Sequence, residues 1–224
     1  MNSRWFAAYS FLLLAVHEAH ELAHAITARL VCGVWPVRDF NAWHIPGDCA
    51  SFLPTAAGPL FSYLLMAIGG AMTLRGNRWA GVALLFAANP FARIFTAVMG
   101  GGDEMVVGQR IAELPNRTGT LRAAVIAFVG IICGAAIAAG WRGMAGMKRR
   151  GIWFTAVLLW PMVLTGVGLF VVGNGLLRAG VLALPTVGGA PLLVMLVSAA
   201  SAALAVITVG WLRGTMVASG RETQ

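Results

Sequence analysis

The sequence predicts an all-α polytopic membrane protein of about six transmembrane helices, and three observations carry that prediction. Of 224 residues, 59% are apolar and only 11% charged, whereas soluble domains run nearer half apolar and a quarter charged. The apolar residues fall into continuous runs of roughly 20, the length that crosses hydrocarbon as a helix, without the period-two alternation of a membrane barrel. The basic residues gather at the ends of these runs, near Trp5, Trp79, Trp141, Trp153 and Trp211, where interfacial anchors sit.

Taken in order, the spans are Trp5–Cys32, Pro54–Leu74, Trp79–Met99, Gly119–Trp141, Ile152–Leu177 and Pro191–Leu212. The first could be mistaken for a secretory leader, but it continues through Leu30, past the usual length of one, and reads as retained. Pro90 interrupts the third and supplies a reason for a kink. The 28 glycines suit helices that approach closely in lipid. Two connections are long. Gly33–Leu53 is polar and aromatic, and it reads either as an ordinary interfacial loop or as one whose stretch Val34–Trp43 forms an extended edge able to pair with a peptide backbone. Gly100–Thr118 opens with Gly100-Gly101-Gly102-Asp103-Glu104 and runs on as a short polar helix. The chain divides into a three-span core, 1–114, and three additional helices, 115–224.

Within the first span lies His17-Glu18-Ala19-His20-Glu21-Leu22-Ala23-His24. Five ionisable groups in eight residues at membrane depth are costly unless something uses them. His20-Glu21-x-x-His24 is the HExxH zinc motif. Positions i and i+4 share a helical face one turn apart, so His20 and His24 can grip one Zn2+, with Glu21 beside it as general base. A hydrolytic zinc site takes a third protein ligand and keeps a position for water.

Parity selects candidates for that ligand. The C-terminal ends of spans one and three emerge on the same side, and His24 is roughly 10–12 Å from the end of its span at ~1.5 Å per residue. A kinked third span brings Asp103 within range. Asp103 is therefore the leading third ligand, with Glu104 adjacent. His17 shares the face of His20 and His24 but is two turns from His24, and Asp48 and His44 are more distant rivals. Asn89, ahead of Pro90, reads either as a hydrogen-bond donor to a reacting carbonyl or as a bond to a neighbouring helix. Arg93 reads as a structural partner of Glu18 or Asp103. His17 and Glu18 have no assigned role.

The net charge of +8 raises nucleic acid as a partner, but no basic stretch interleaved with aromatics supports it, and none is expected. The basic residues bear instead on orientation. Arg4, Arg75, Arg78, Arg142, Lys148, Arg149, Arg150, Arg213 and Arg221 lie on the side of the N-terminus. Arg29, Arg38, Arg110, Arg117, Arg122 and Arg178 lie on the other. Nine against six places both termini in the cytoplasm by the positive-inside rule. Cys32, Cys49 and Cys133 form no zinc pattern and cannot all pair; Cys32 and Cys49 flank one loop and could meet, though spacing alone fixes no distance, and the leading reading is small apolar fillers.

His20-Glu21-Leu22-Ala23-His24-Ala25, with Ala28-Arg29-Leu30 and Gly33-Val34, resembles the first motif helix of the site-2 protease-type intramembrane zinc metalloproteases. Ala57-Gly58-Pro59-Leu60 is similar to that family's Gly-Pro motif. Asn89-Pro90 with the later Gly102-Asp103 resembles its third core helix. The resemblance covers roughly Trp5–Glu104 and implies zinc on His20, His24 and Asp103, with Glu21 catalytic. It also implies a zinc site nearer the cytoplasmic face, opposite to the charge count. The chain departs from the family pattern in having Ser62 where an Asn is usual, and in the fourteen residues from Asn89 to Asp103.

The expected function is that of an intramembrane zinc endopeptidase in a prokaryotic plasma membrane. It would cleave a transmembrane protein or peptide in or near its membrane-spanning segment, with the lipid bilayer as its second partner. The alternative is a non-proteolytic membrane protein that binds or transports metal through the same His/Glu cluster.

Overall fold

The structure, a computed structural model, describes residues 2–112, 119–186 and 188–213. Arg117 and Arg221, two of the basic residues counted for orientation, lie outside that set, as does the proposed boundary between 114 and 115. In chain order the elements are α1 (Ser3–Cys32), β1 (Val37–Arg38), β2 (Trp43–His44), α2 (Leu53–Leu74), α3 (Arg78–Ala87), α4 (Pro90–Val98) and α5 (Asp103–Ile111). There follow α6 (Gly119–Gly143), α7 (Arg150–Met162), α8 (Asn174–Arg178) and α9 (Leu192–Thr208). A π-helical stretch, Val163–Gly173, makes α7 and α8 continuous, and one 3₁₀ turn extends α9 to Leu212.

Among the described residues five helical segments are long and apolar enough to cross a membrane: Leu53–Leu74, Arg78–Val98, Gly119–Gly143, Arg150–Arg178 and Leu192–Leu212. Their outer faces carry large apolar side chains in the open, including Leu60, Leu74, Ile131, Val171 and Val206. Surface of that kind is stable only against something other than water. The 30-residue α1 is as long as any of them, but its four charged side chains set it apart in composition.

Local chemistry fixes where the helices start and stop. Asn2 caps α1, its Oδ1 accepting from the Trp5 amide at 2.9 Å, and Gly33 ends the helix in the left-handed region at φ 75°, where a side chain would be strained. The third apolar run is broken as Pro90 predicts. Proline lacks an N–H and disfavours helical geometry in the residue before it, so α3 stops at Ala87 and Asn89 turns left-handed at φ 57° before α4 restarts. Gly100 and Gly102, both at positive φ, then turn the chain sharply into α5. A close approach locks α2 to α3: a Cβ on Gly81 would meet Thr73 Oγ1 at 2.4 Å.

One hydrophobic cluster runs from Trp5, Tyr9 and Leu13 through Val82, Leu85 and Phe86 to Val129, Val157 and Leu212. It draws on both halves of the chain. Tyr9 donates to the Val157 carbonyl at 2.7 Å, and Trp160 Nε1 donates to Ser10 Oγ at 2.9 Å.

The long polar connection folds back over α1 as a two-stranded antiparallel hairpin, with Val37 opposite His44 and Arg38 opposite Trp43. Of the two readings of that connection, this is the extended one. The expectation for two cysteines is corrected: Cys32 and Cys49 are joined by a disulfide, not separate fillers. Doubling the loop back from Gly33 brings their Cα atoms to 5.8 Å, within reach of a bridge. Cys133 is free and buried.

The hairpin is anchored in the protein interior. Arg38, 4% exposed, pairs with Glu18 on α1 at 3.2 Å, and Ser198 on α9 donates to the same carboxylate oxygen at 2.6 Å. Arg38 N also donates to the Gly189 carbonyl at 3.2 Å. Arg93 was expected to pair with Glu18 or Asp103. It does neither, because the hairpin delivers Arg38 to Glu18 first and Arg93 turns to Glu104. Removing one partner of a buried pair strands the other charge, at about 3–5 kcal/mol. Arg38→Ala is therefore expected to lower the unfolding midpoint in detergent, and Glu18→Gln/Arg38→Met to recover most of the loss.

Candidate metal centre

Both histidines of the motif face α2. His24 Nδ1 donates to the Pro54 carbonyl at 2.6 Å, while His20 Nδ1 lies 3.0 Å from Ser62 Oγ and accepts from Arg93 Nη2 at 2.9 Å. On His24 a proton held on Nδ1 leaves the Nε2 lone pair free for a metal. The two Nε2 atoms lie 3.1 Å apart, and Asp103 Oδ2 is 3.4 Å from each. Two ligand atoms ~2.0–2.1 Å from zinc at a tetrahedral angle are ~3.3–3.4 Å apart, so this triangle is the size that the ion requires. Among the described residues, His20, His24 and Asp103 are the group of this composition close enough together to hold a metal.

Asp103 reaches the site because of the broken third run and the glycine turn after it. Burial alone pushes its carboxyl up, but the two imidazoles outweigh that and hold it well below the usual carboxylate range. It is an anion, as a ligand must be.

Space for the ion comes from α2. Gly58 lies against both rings: a Cβ there would meet His24 Nε2 at 2.2 Å and His20 Cε1 at 2.6 Å. The Ala57-Gly58-Pro59 motif thus places its missing side chain against the two rings that could hold a metal ion. Ser62 occupies the position where the family resemblance leads one to expect Asn. There its Oγ contacts His20 Nδ1 and accepts from Arg93.

Behind His20 stands a polar brace. Arg93 donates from Nη2 to Ser62 Oγ at 2.9 Å and from Nη1 to Glu104 Oε1. Tyr63 donates to that same oxygen at 2.7 Å. Glu104, a rival for the third ligand, is thereby engaged away from the triangle. His17 is engaged too, its Nε2 2.9 Å from the Phe40 carbonyl. Asp48 and His44 line a separate cleft on the far side of the hairpin, which Asp103 also borders.

A cavity of about 270 Å³ opens beside the triangle, room for several waters. Glu21 lines it with His20 and Asp103, as do Asn89, Asn41 and Trp43. Glu21 is 7% exposed. Asn89 aims a buried Oδ1 with no hydrogen-bond partner, and an unpaired buried polar atom is costly. Trp43 of the hairpin stacks on His24, centroids 5.0 Å apart and planes at 26°.

Sequence reasoning missed three contributors: Ser62 as the partner of His20, the Pro54 carbonyl as that of His24, and Trp43 as the lid on the imidazole. Only Ser62 had left a signal, as the departure from the Gly-Pro motif's usual Asn. No family model, curated protein or solved structure matches the chain.

Proposed function

We propose that the protein is an intramembrane zinc endopeptidase of the kind its motifs resemble, with α1 as a sixth span. One observation carries the reading: three anionic or neutral donor atoms form a zinc-sized triangle, and the motif carboxylate Glu21 lines the cavity beside it, which has room for several waters. Bound zinc would supply the Lewis acidity that turns water into a nucleophile at neutral pH. His20, His24 and Asp103 are the residues that would hold it.

The remaining work falls to side chains of this chain. Glu21 takes the proton of the attacking water and returns it to the leaving amine. Asn89, which lines the cavity, holds the substrate backbone or, through its amide N–H, the developing oxyanion. A helical substrate keeps its carbonyls internally bonded and must be unwound locally. The hairpin beside the cleft offers an edge for the extended segment that results. The alternative of a metal carrier rested on His17 and Glu18 as a path for ions. Their contacts with the Phe40 carbonyl and with Arg38 weigh against it.

The test is metal analysis of the purified protein beside His20→Ala and Asp103→Ala, together with cleavage of a model transmembrane peptide. One zinc per wild-type chain, little in either variant, and cleavage abolished by chelation and restored by Zn2+ is the expected pattern. Equal metal in all three proteins would remove the triangle from the reading.

A further inference from the structure

The connections between helices sort onto two faces. On the first, the N-terminus of α1 meets the α2–α3 turn, with Trp5 and Trp79 rings 6.5 Å apart, and the end of α6 presses Gly143 on Thr73. On the second lie the hairpin, the start of α2, the turn into α5, and residues 188–191, which accept from Arg38 through Gly189. The start of α6 belongs there too, Arg122 donating to the Val98 carbonyl. The metal triangle lies toward this second face, below the end of α1.

Two unrelated signals identify the faces. Among the described residues eight basic residues belong to the first and five to the second, and of those five Arg38 is buried in its pair with Glu18. The positive-inside rule makes the first face cytoplasmic. The second face carries the Cys32–Cys49 disulfide, and disulfides persist where the compartment is oxidising. Charge and redox chemistry agree, although neither depends on the other.

We infer that the candidate centre opens to the oxidising, extracytoplasmic face of its membrane, and that the polypeptide it takes is the extracytoplasmic end of a membrane-spanning segment. The orientation rests on α1 being a span, as proposed above; the substrate class also rests on the proteolytic reading. It reverses the orientation that the family resemblance implies. Metal and water enter from the same side as the bridge, which holds in place the hairpin whose Trp43 covers His24.

The test reads orientation and thiol state without using cleavage, so it gives the same answer in Glu21→Gln and is independent of the proteolytic reading. Thr120 on the second face and Asn77 on the first are both exposed. In intact cells with a reducing cytoplasm, a membrane-impermeant maleimide is expected to label Thr120→Cys, and Asn77→Cys only after permeabilisation. Wild-type protein denatured without reductant should offer one thiol, Cys133, and three after reduction. Labelling of Asn77→Cys in intact cells, failure of Thr120→Cys to label there, or three free thiols before reduction would each overturn the inference.

Discussion

Glu21→Gln is expected to keep its metal and lose its chemistry. The amide is nearly isosteric with the carboxylate and lines the same cavity, and none of the three triangle atoms belongs to residue 21. Metal content should therefore stay at one per chain. A positioned general base contributes about 10²- to 10⁴-fold, and turnover of a model transmembrane peptide should fall by that factor, with the Michaelis constant little changed. Undiminished turnover would take Glu21 out of the mechanism while leaving the metal site intact.

Gly58→Ala is expected to do the reverse, emptying the site without harming the helix. Alanine is about 1 kcal/mol better than glycine in a helix interior, so α2 itself gains. The added methyl, however, would lie 2.2 Å from His24 Nε2 and 2.6 Å from His20 Cε1, distances at which something must move. The rings turn away and the triangle opens. Metal affinity should drop by at least the ~10–100-fold that loss of ligand orientation costs, read by competition with a chromogenic chelator. Gly70→Ala is the control, since nothing lies within 4 Å of a Cβ there; it should bind metal as wild type does. A Gly58→Ala protein with unchanged affinity would show that the rings have room to spare.

Much of this site was legible because its determinants are short-range. His20, Glu21 and His24 share one helical face by spacing alone, and Pro90 with Gly100 and Gly102 marks where the third run must break and turn. Asp103 followed from parity, a property of whole spans that does not depend on side-chain detail. What stayed hidden depends on tertiary placement. Nothing local distinguishes Ser62 from any other serine on an apolar helix until α1 lies against α2. The Cys32–Cys49 bridge needed the hairpin's path, as did the capture of Glu18 by Arg38, which left Arg93 to find Glu104. Gly58 was visible as a motif, but its purpose is an empty volume, and only neighbouring atoms define one.

The roof of the cavity is a hairpin contributed by the N-terminal half and held by the C-terminal half. Phe40 N donates to Asn174 Oδ1, Asn174 Nδ2 donates to Asn41, and Ser198 shares the carboxylate that grips Arg38. A fragment ending after α5 would retain every metal-binding atom yet leave that roof unmoored, with Glu18 and Arg38 deprived of their third member. The last helices thus act as a keystone, and the proposed activity would belong to the assembled arch rather than to its first three staves.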